Sequence, residues 1–303
     1  MAGKFNLSNV KFDVDAIGIT LIASTTTHIL RLDLLNKTLE DITTKKRPRY
    51  AYYGVTWSHD HLYVVDSEDQ QAADCVRVYD KQFFLVDTIT CDLLNTHQIQ
   101  YFDGALYIAD TSHDTCKLYN VNDESVIALC LPSDSDHPVG TLHHNSVYIK
   151  DENLYLLCHG RRFGSMTCHL DLNTHEILDM IHCGQQAHNV CEIDGKLVMN
   201  SSGESKLIDT DNTLYYETIP GRYLRGLAVT NDYIFVGESR FTLNRDERTR
   251  VDGGDARCYI AVLDRTTHEL LGKIRVPDAG IYEIRVLSEN DYAHSSISNE
   301  FWT

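Results

Sequence analysis

No apolar run in this 303-residue chain approaches the length of a membrane-spanning helix, and the amino-terminal "MAGKFNLSNVKF" has no charged-then-apolar leader pattern. The expectation is a cytoplasmic protein with no membrane partner. Basic charge is scarce. The 27 Lys and Arg residues face 44 Asp and Glu, a formal net charge of -17, which argues against nucleic acid or an anionic membrane as a general partner. The nine cysteines include no Cys-x-x-Cys pair, and most lie in apolar strand-like runs, so they read as buried reduced thiols. A Gly-x-Ser-x-Gly elbow, a glycine-rich phosphate loop and a dinucleotide fingerprint are also missing, which leaves nucleophilic hydrolysis without a signature. No long amphipathic helix pattern occurs.

What is present is a repeat. "THQIQYFDGALYIADT" at 96–111 and "AHNVCEIDGKLVMNS" at 187–201 each set a histidine six residues before an Asp-Gly turn that leads into an apolar strand. Related strand–turn–strand phrases are "GVTWSHDHLYVVDS", "NSVYIKDENLYLLCH", "RGLAVTNDYIFVGES" and "EIRVLSENDYAHSS", with "FDVDAIGITLIAST" a looser first copy. Most are followed by a second pair such as "CVRVYDKQFFLVDTIT" or "YIAVLDRTTHELLGKIRV", in which an Asp or Asn closes the third strand. Four short antiparallel strands repeating at roughly forty residues predict an all-β fold, a β-propeller filling 1–303 as one domain. Seven blades are expected, the last completed by "EFWT" and "KFNLS"; six blades with extra end strands is the alternative.

The first strand of each blade lines the central channel, so equivalent positions form a ring. Counting from the second strand places Phe12, Tyr53, His97, Asn145, His188, Arg225 and Glu283 in that ring. His144 adjoins Asn145, and a one-residue bulge would exchange them; His143 lies beside both. His97, His144, His188 and Glu283 then form a candidate set for a divalent transition metal (Fe, Mn, Zn or Cu), or else are polar channel residues. Tyr53, Arg225 and Glu283 are the candidate catalytic groups. His159 and His294 end second strands on the same face.

Arginine gathers near this mouth despite the acidic composition. Arg222 and Arg225 begin the sixth inner strand, "HGRRFGSM" carries Arg161 and Arg162, and Arg240 opens the long "SRFTLNRDERTRVDGGDARC" loop. Guanidinium groups suit carboxylates or phosphates, so Arg161, Arg162, Arg222 and Arg240 are candidate contacts to a small anionic substrate, with the loop as a lid.

Arg225, Gly226, Leu227, Phe235, Val236, Gly237, Ser239, Glu283, Ile284 and Val286 match an Arg-Gly-Leu, Phe-Val-Gly-x-Ser, Glu-Ile-x-x-Val pattern. On these residues the last quarter of the chain resembles a bacterial family of propeller-like proteins of unknown function. Members carry His-Ser-Pro where this chain has His188-Asn189-Val190, and leucine where it has Glu238. The resemblance implies the fold and the register rather than a chemistry. Two functions follow as expectations: a metal-dependent lyase, isomerase or oxygenase acting on a small anion, or a non-catalytic module binding a protein, peptide or glycan.

Overall fold

A computed structural model describes residues 10–43, 51–67, 73–131, 142–161, 163–240, 258–276, 278 and 280–294. Among the described residues 25 strands, β1 to β25 in chain order, form six sheets around one axis. The innermost strands are β5 (Ala51–Trp57), β9 (Ile99–Phe102), β13 (His144–Lys150), β17 (His188–Ile193), β21 (Arg222–Val229) and β25 (Ile281–Val286). Five of them are followed outward by three antiparallel strands, and β21 by four. Burial falls along the same direction: all seven residues of β5 are buried, whereas β12 (Val126–Cys130) is almost wholly exposed. The apolar core lies between neighbouring sheets, as where residues of β2, β3 and β25 pack on those of β22–β24.

Local chemistry sets the strand pairs. Asp103-Gly104 and Asp194-Gly195 both take positive φ, the backbone that a two-residue hairpin with the twist of its strands requires. The recurrent Asp or Asn closing the third strand caps the next turn in all six blades. Asp33, Asp80, Asn120, Asp171, Asp209 and Asp264 each accept a backbone N–H two or three residues on, at 2.9 Å.

Seven blades are not observed, because the first and last copies are halves of one blade. β25 supplies the inner strand to β2 (Thr20–Thr25), with Leu21 opposite Val286 and Ser24 opposite Glu283. The amino-terminal "KFD" is instead β1 (Lys11–Asp13), a fifth strand on the rim of the preceding blade, where Phe12 pairs with Ile274 of β24 (Leu270–Val276). Phe12 is therefore not a ring residue. The segments expected to complete a seventh blade, "KFNLS" at 4–8 and "EFWT" at 300–303, lie outside the described residues.

The end of the axis opposite the histidines is filled. A 3₁₀ turn at Tyr292–His294 follows β25, and Asp291 caps it while accepting from Val229 and Val286 N–H. His294 bonds Thr56 and stacks on Trp57 at the far end of β5, so it is not at the ring face. Among the described residues no helix is long and apolar enough to cross a membrane.

Inner strands approach too closely for some side chains. A Cβ at Gly54 would stand 2.5 Å from Ile99 N and 2.7 Å from Gln98 Cα, backbone of the next blade. Gly54→Ala should therefore lower stability in urea melts by about 1–3 kcal/mol, the usual cost of overpacking. Gly18→Ala, where an added Cβ meets nothing within 4 Å, should leave the midpoint within experimental error.

Candidate functional site at the channel mouth

Every inner strand enters the channel through a bulge. Asn145 is extra between His144 and Ser146, Asn189 between His188 and Val190, and Tyr282 between Ile281 and Glu283. Tyr53-Gly54 and Arg225-Gly226 fall in register shifts of the same kind. In the third blade His97 N–H and Gln98 O both bond Ala109. Bulges re-aim side chains, and here they create two tiers. Tyr282, Tyr53, His97, Asn145, His188 and Arg225 share one ladder position; Glu283, Gly54, Gln98, Ser146, Asn189 and Gly226 share the next. The even count along the strands places Asn145 level with His97 and His188, as observed, but the bulge in β25 sets Tyr282 at that level and Glu283 one position deeper.

The two tiers line a cavity at the channel mouth, bordered by Tyr53, His97, Gln98, Asn145, Ser146, His188, Asn189, Arg225, Tyr282 and Glu283. His97 and His188 are oriented by the same device. His97 Nδ1–H donates to Thr111 Oγ1 (2.6 Å), whose own proton goes to His144 O. His188 Nδ1–H donates to Gln186 O and Ser202 Oγ (2.9 Å each), and that hydroxyl donates to Leu224 O. Both hydroxyls lie 14 residues after their histidine, at the end of the second strand. Both imidazoles therefore turn an unprotonated Nε2 away from these anchors. Thr111 and Ser202 were missed in the sequence, although their equal spacing from the repeated histidines was there to find.

His144 stands one residue before the equivalent position and does not line the cavity. Its ring nitrogens face Thr115 O (2.9 Å) and Ser146 O (3.1 Å), and Asn145 lines the cavity in its place. His143 and His159 gather at the mouth instead. Ring centroids are 5.1 Å apart for His97–His143, 4.8 Å for His143–His159, 5.3 Å for His159–His188 and 6.2 Å for His97–His188. Tyr53 sets its ring 4.9 Å from His97 and 4.3 Å from Tyr282.

Glu283 spans the axis. It accepts from Gln98 Nε2 (2.7 Å) and Asn189 Nδ2 (3.1 Å) and lies 3.3 Å from Arg285. With both oxygens so engaged it braces the third and fifth blades rather than presenting a free ligand. The expected set of His97, His144, His188 and Glu283 is thus not assembled around one ion. Among the described residues no group of three or more His, Cys, Asp or Glu side chains is placed to hold a metal.

Arg225 is the cation of the cavity. Its guanidinium stands over Tyr223 (5.1 Å) and Tyr282 (5.3 Å), and no carboxylate among the described residues pairs with it. Arg161 sits at the rim, where its N–H donates to His159 Nδ1. Arg222 lies over Tyr259, two strands out, and neither it nor its ladder partner Arg240 lines the cavity. Arg162 and residues 241–257 of the long loop lie outside the described residues.

Burial, then the neighbouring cations and imidazoles, hold the four histidines neutral. His97 and His188 fall well below the ordinary imidazole range, His143 to about 3 and His159 to about 2. Burial pushes Glu283 up to about 7. The unfolded imidazoles bind protons below about pH 6.5 while the folded ones do not, so their stabilising contribution is lost as pH falls from there, by at most about 1.4 kcal/mol per unit for each. Glu283 opposes this, since its folded form binds protons more readily than the unfolded carboxyl. Denaturant melts of the His143→Asn, His159→Gln double variant should therefore lose less stability between pH 6.5 and pH 5 than the native chain does; Asn tolerates the positive φ of residue 143.

No family model matches the chain, and no curated protein matches it by sequence. Solved structures match it in shape. A chain of a nidogen/laminin complex superposes with a TM-score of 0.61 at 11% identity, covering 89% of this chain and 98% of that one. A Bacteroides caccae protein of unknown function gives 0.61 at 10%, covering 89% and 99%. TolB from Acinetobacter baumannii gives 0.61 at 8%, covering 90% and 67%. At such identities the likeness is one of fold: this chain is a six-bladed β-propeller of the same architecture as proteins of unknown function and of quite different settings.

Proposed function

We propose that this propeller is a binding module whose channel mouth captures a small carboxylate or comparable oxyanion. The observation that carries the reading is Arg225: a guanidinium in a closed-ended cavity, stacked on two tyrosines, with no carboxylate among the described residues to neutralise it. In a chain of formal charge -17, a cation left unpaired in this way favours an anionic guest. Tyr53 and Tyr282 would flank the guest, and Arg161 adds positive potential at the rim. That one shape neighbour comes from a nidogen/laminin complex is in keeping with a binding role, by analogy of fold only.

A metal-dependent lyase, isomerase or oxygenase is the second reading. Its specific support is the orientation of His97 and His188, each anchored through Nδ1–H as metal-bound imidazoles are. Against it stands electrostatics. Arg225 disfavours even a single proton on these rings, and a divalent ion there would meet twice that repulsion.

Isothermal titration of the full chain with acetate and oxalate should show one binding site per chain. Arg225→Gln should weaken it by about 10- to 100-fold, the weight of a charge-assisted hydrogen bond of about 1.5–3 kcal/mol. Stoichiometric metal that survives dialysis and disappears in a His97→Ala, His188→Ala variant would instead favour the enzyme.

A further inference from the structure

The anion site leaves one group unexplained. His188 is 3% exposed, lines the cavity, and its Nε2 has no hydrogen-bond partner. Because Nδ1–H is committed to Gln186 O and Ser202 Oγ, and that hydroxyl is itself committed to Leu224 O, Nε2 carries a lone pair and can only accept. In the same cavity Arg225 Nε, which can only donate, is also buried and unpartnered. The two orphans are complementary, both side chains line the one cavity, and both border the Tyr223 ring, 5.2 Å from His188 and 5.1 Å from the Arg225 guanidinium.

A simple carboxylate answers only half of this. Its oxygens accept from Arg225 but set lone pairs against the lone pair of His188 Nε2. Protonating His188 would relieve the clash, yet burial and the Arg225 charge both oppose that proton. A hydroxyl beside the carboxylate removes the conflict, since it donates to Nε2 while the carboxylate accepts from the guanidinium, and no proton need be taken up. A buried polar atom left unpaired discriminates strongly against ligands that cannot satisfy it.

Resting on the anion-binding reading above, we propose that the ligand is a small 2-hydroxy acid, its carboxylate on Arg225 and its hydroxyl donating to His188 Nε2. Glycolate and acetate differ by that one hydroxyl and are the probes. In titrations of the full chain at neutral pH, glycolate should bind about ten-fold or more tightly than acetate, and His188→Leu should bring the ratio to about one. Nitrogen-15 NMR of the imidazoles gives a test that needs no variant: saturating glycolate should move the His188 Nε2 resonance in the direction of an accepted hydrogen bond, and acetate should not. Equal affinities in the native protein, or an Nε2 resonance unmoved by saturating glycolate, overturn the hydroxy-acid assignment and leave the anion site standing. Failure of both acids to bind overturns the two readings together.

Discussion

Six inner strands converge on one axis, and what fastens them there is the buried carboxylate of Glu283. Gln98 from the third blade and Asn189 from the fifth both donate to it, and Arg285 of the same strand lies against it. The amides pass the connection on: Gln98 accepts from Val147 N–H, and Asn189 accepts from Gly226 N–H. Five of the six blades are joined through these side chains. A buried charge is costly unless fully partnered, so the network ties closure of the ring to a particular arrangement of its members.

That brace also settles what the mouth can do. With Glu283 engaged below, no free carboxylate among the described residues faces the histidines or Arg225. The mouth becomes a nest of neutral imidazoles and aromatic rings around one cation. Low dielectric strengthens the interaction of that cation with an entering charge, and the 3₁₀ turn at Tyr292–His294 stops the channel from being a passage. A pocket with one end closed, one cation and oriented acceptors is built for a small polar guest.

The bulge repeated in every inner strand gives this site its geometry. It supplies two successive inward positions per blade, one filled at the mouth by Tyr, His, Asn or Arg, the next filled by Glu, amides, Ser or glycine. The glycines are needed where blades touch: at Gly226, with φ of 79°, a Cβ would stand 2.8 Å from Ile284. The hydroxyls of Thr111 and Ser202 serve twice, orienting a histidine and bonding the carbonyl of the following blade. Site orientation and blade packing are thus one set of hydrogen bonds.

Blade architecture was legible in the sequence because its signals are local: two-residue turns that need positive φ, an Asp or Asn that caps a turn within three residues, and apolar alternation along short strands. The repeated His97 and His188 were legible for the same reason, being fixed at equal distance from an Asp-Gly turn. The number of blades, the exchange of His144 for Asn145, the arrival of His143 and His159, and the withdrawal of Glu283 into a brace were decided by the tertiary structure. These depend on partners far along the chain: β25 pairs with β2 across the whole sequence, and His144 Nδ1 is held by the carbonyl of Thr115 in the preceding blade. Spacing specifies what a residue can reach along its own strand, whereas which way it turns at a bulge is settled by whichever neighbouring blade offers its polar atoms a partner.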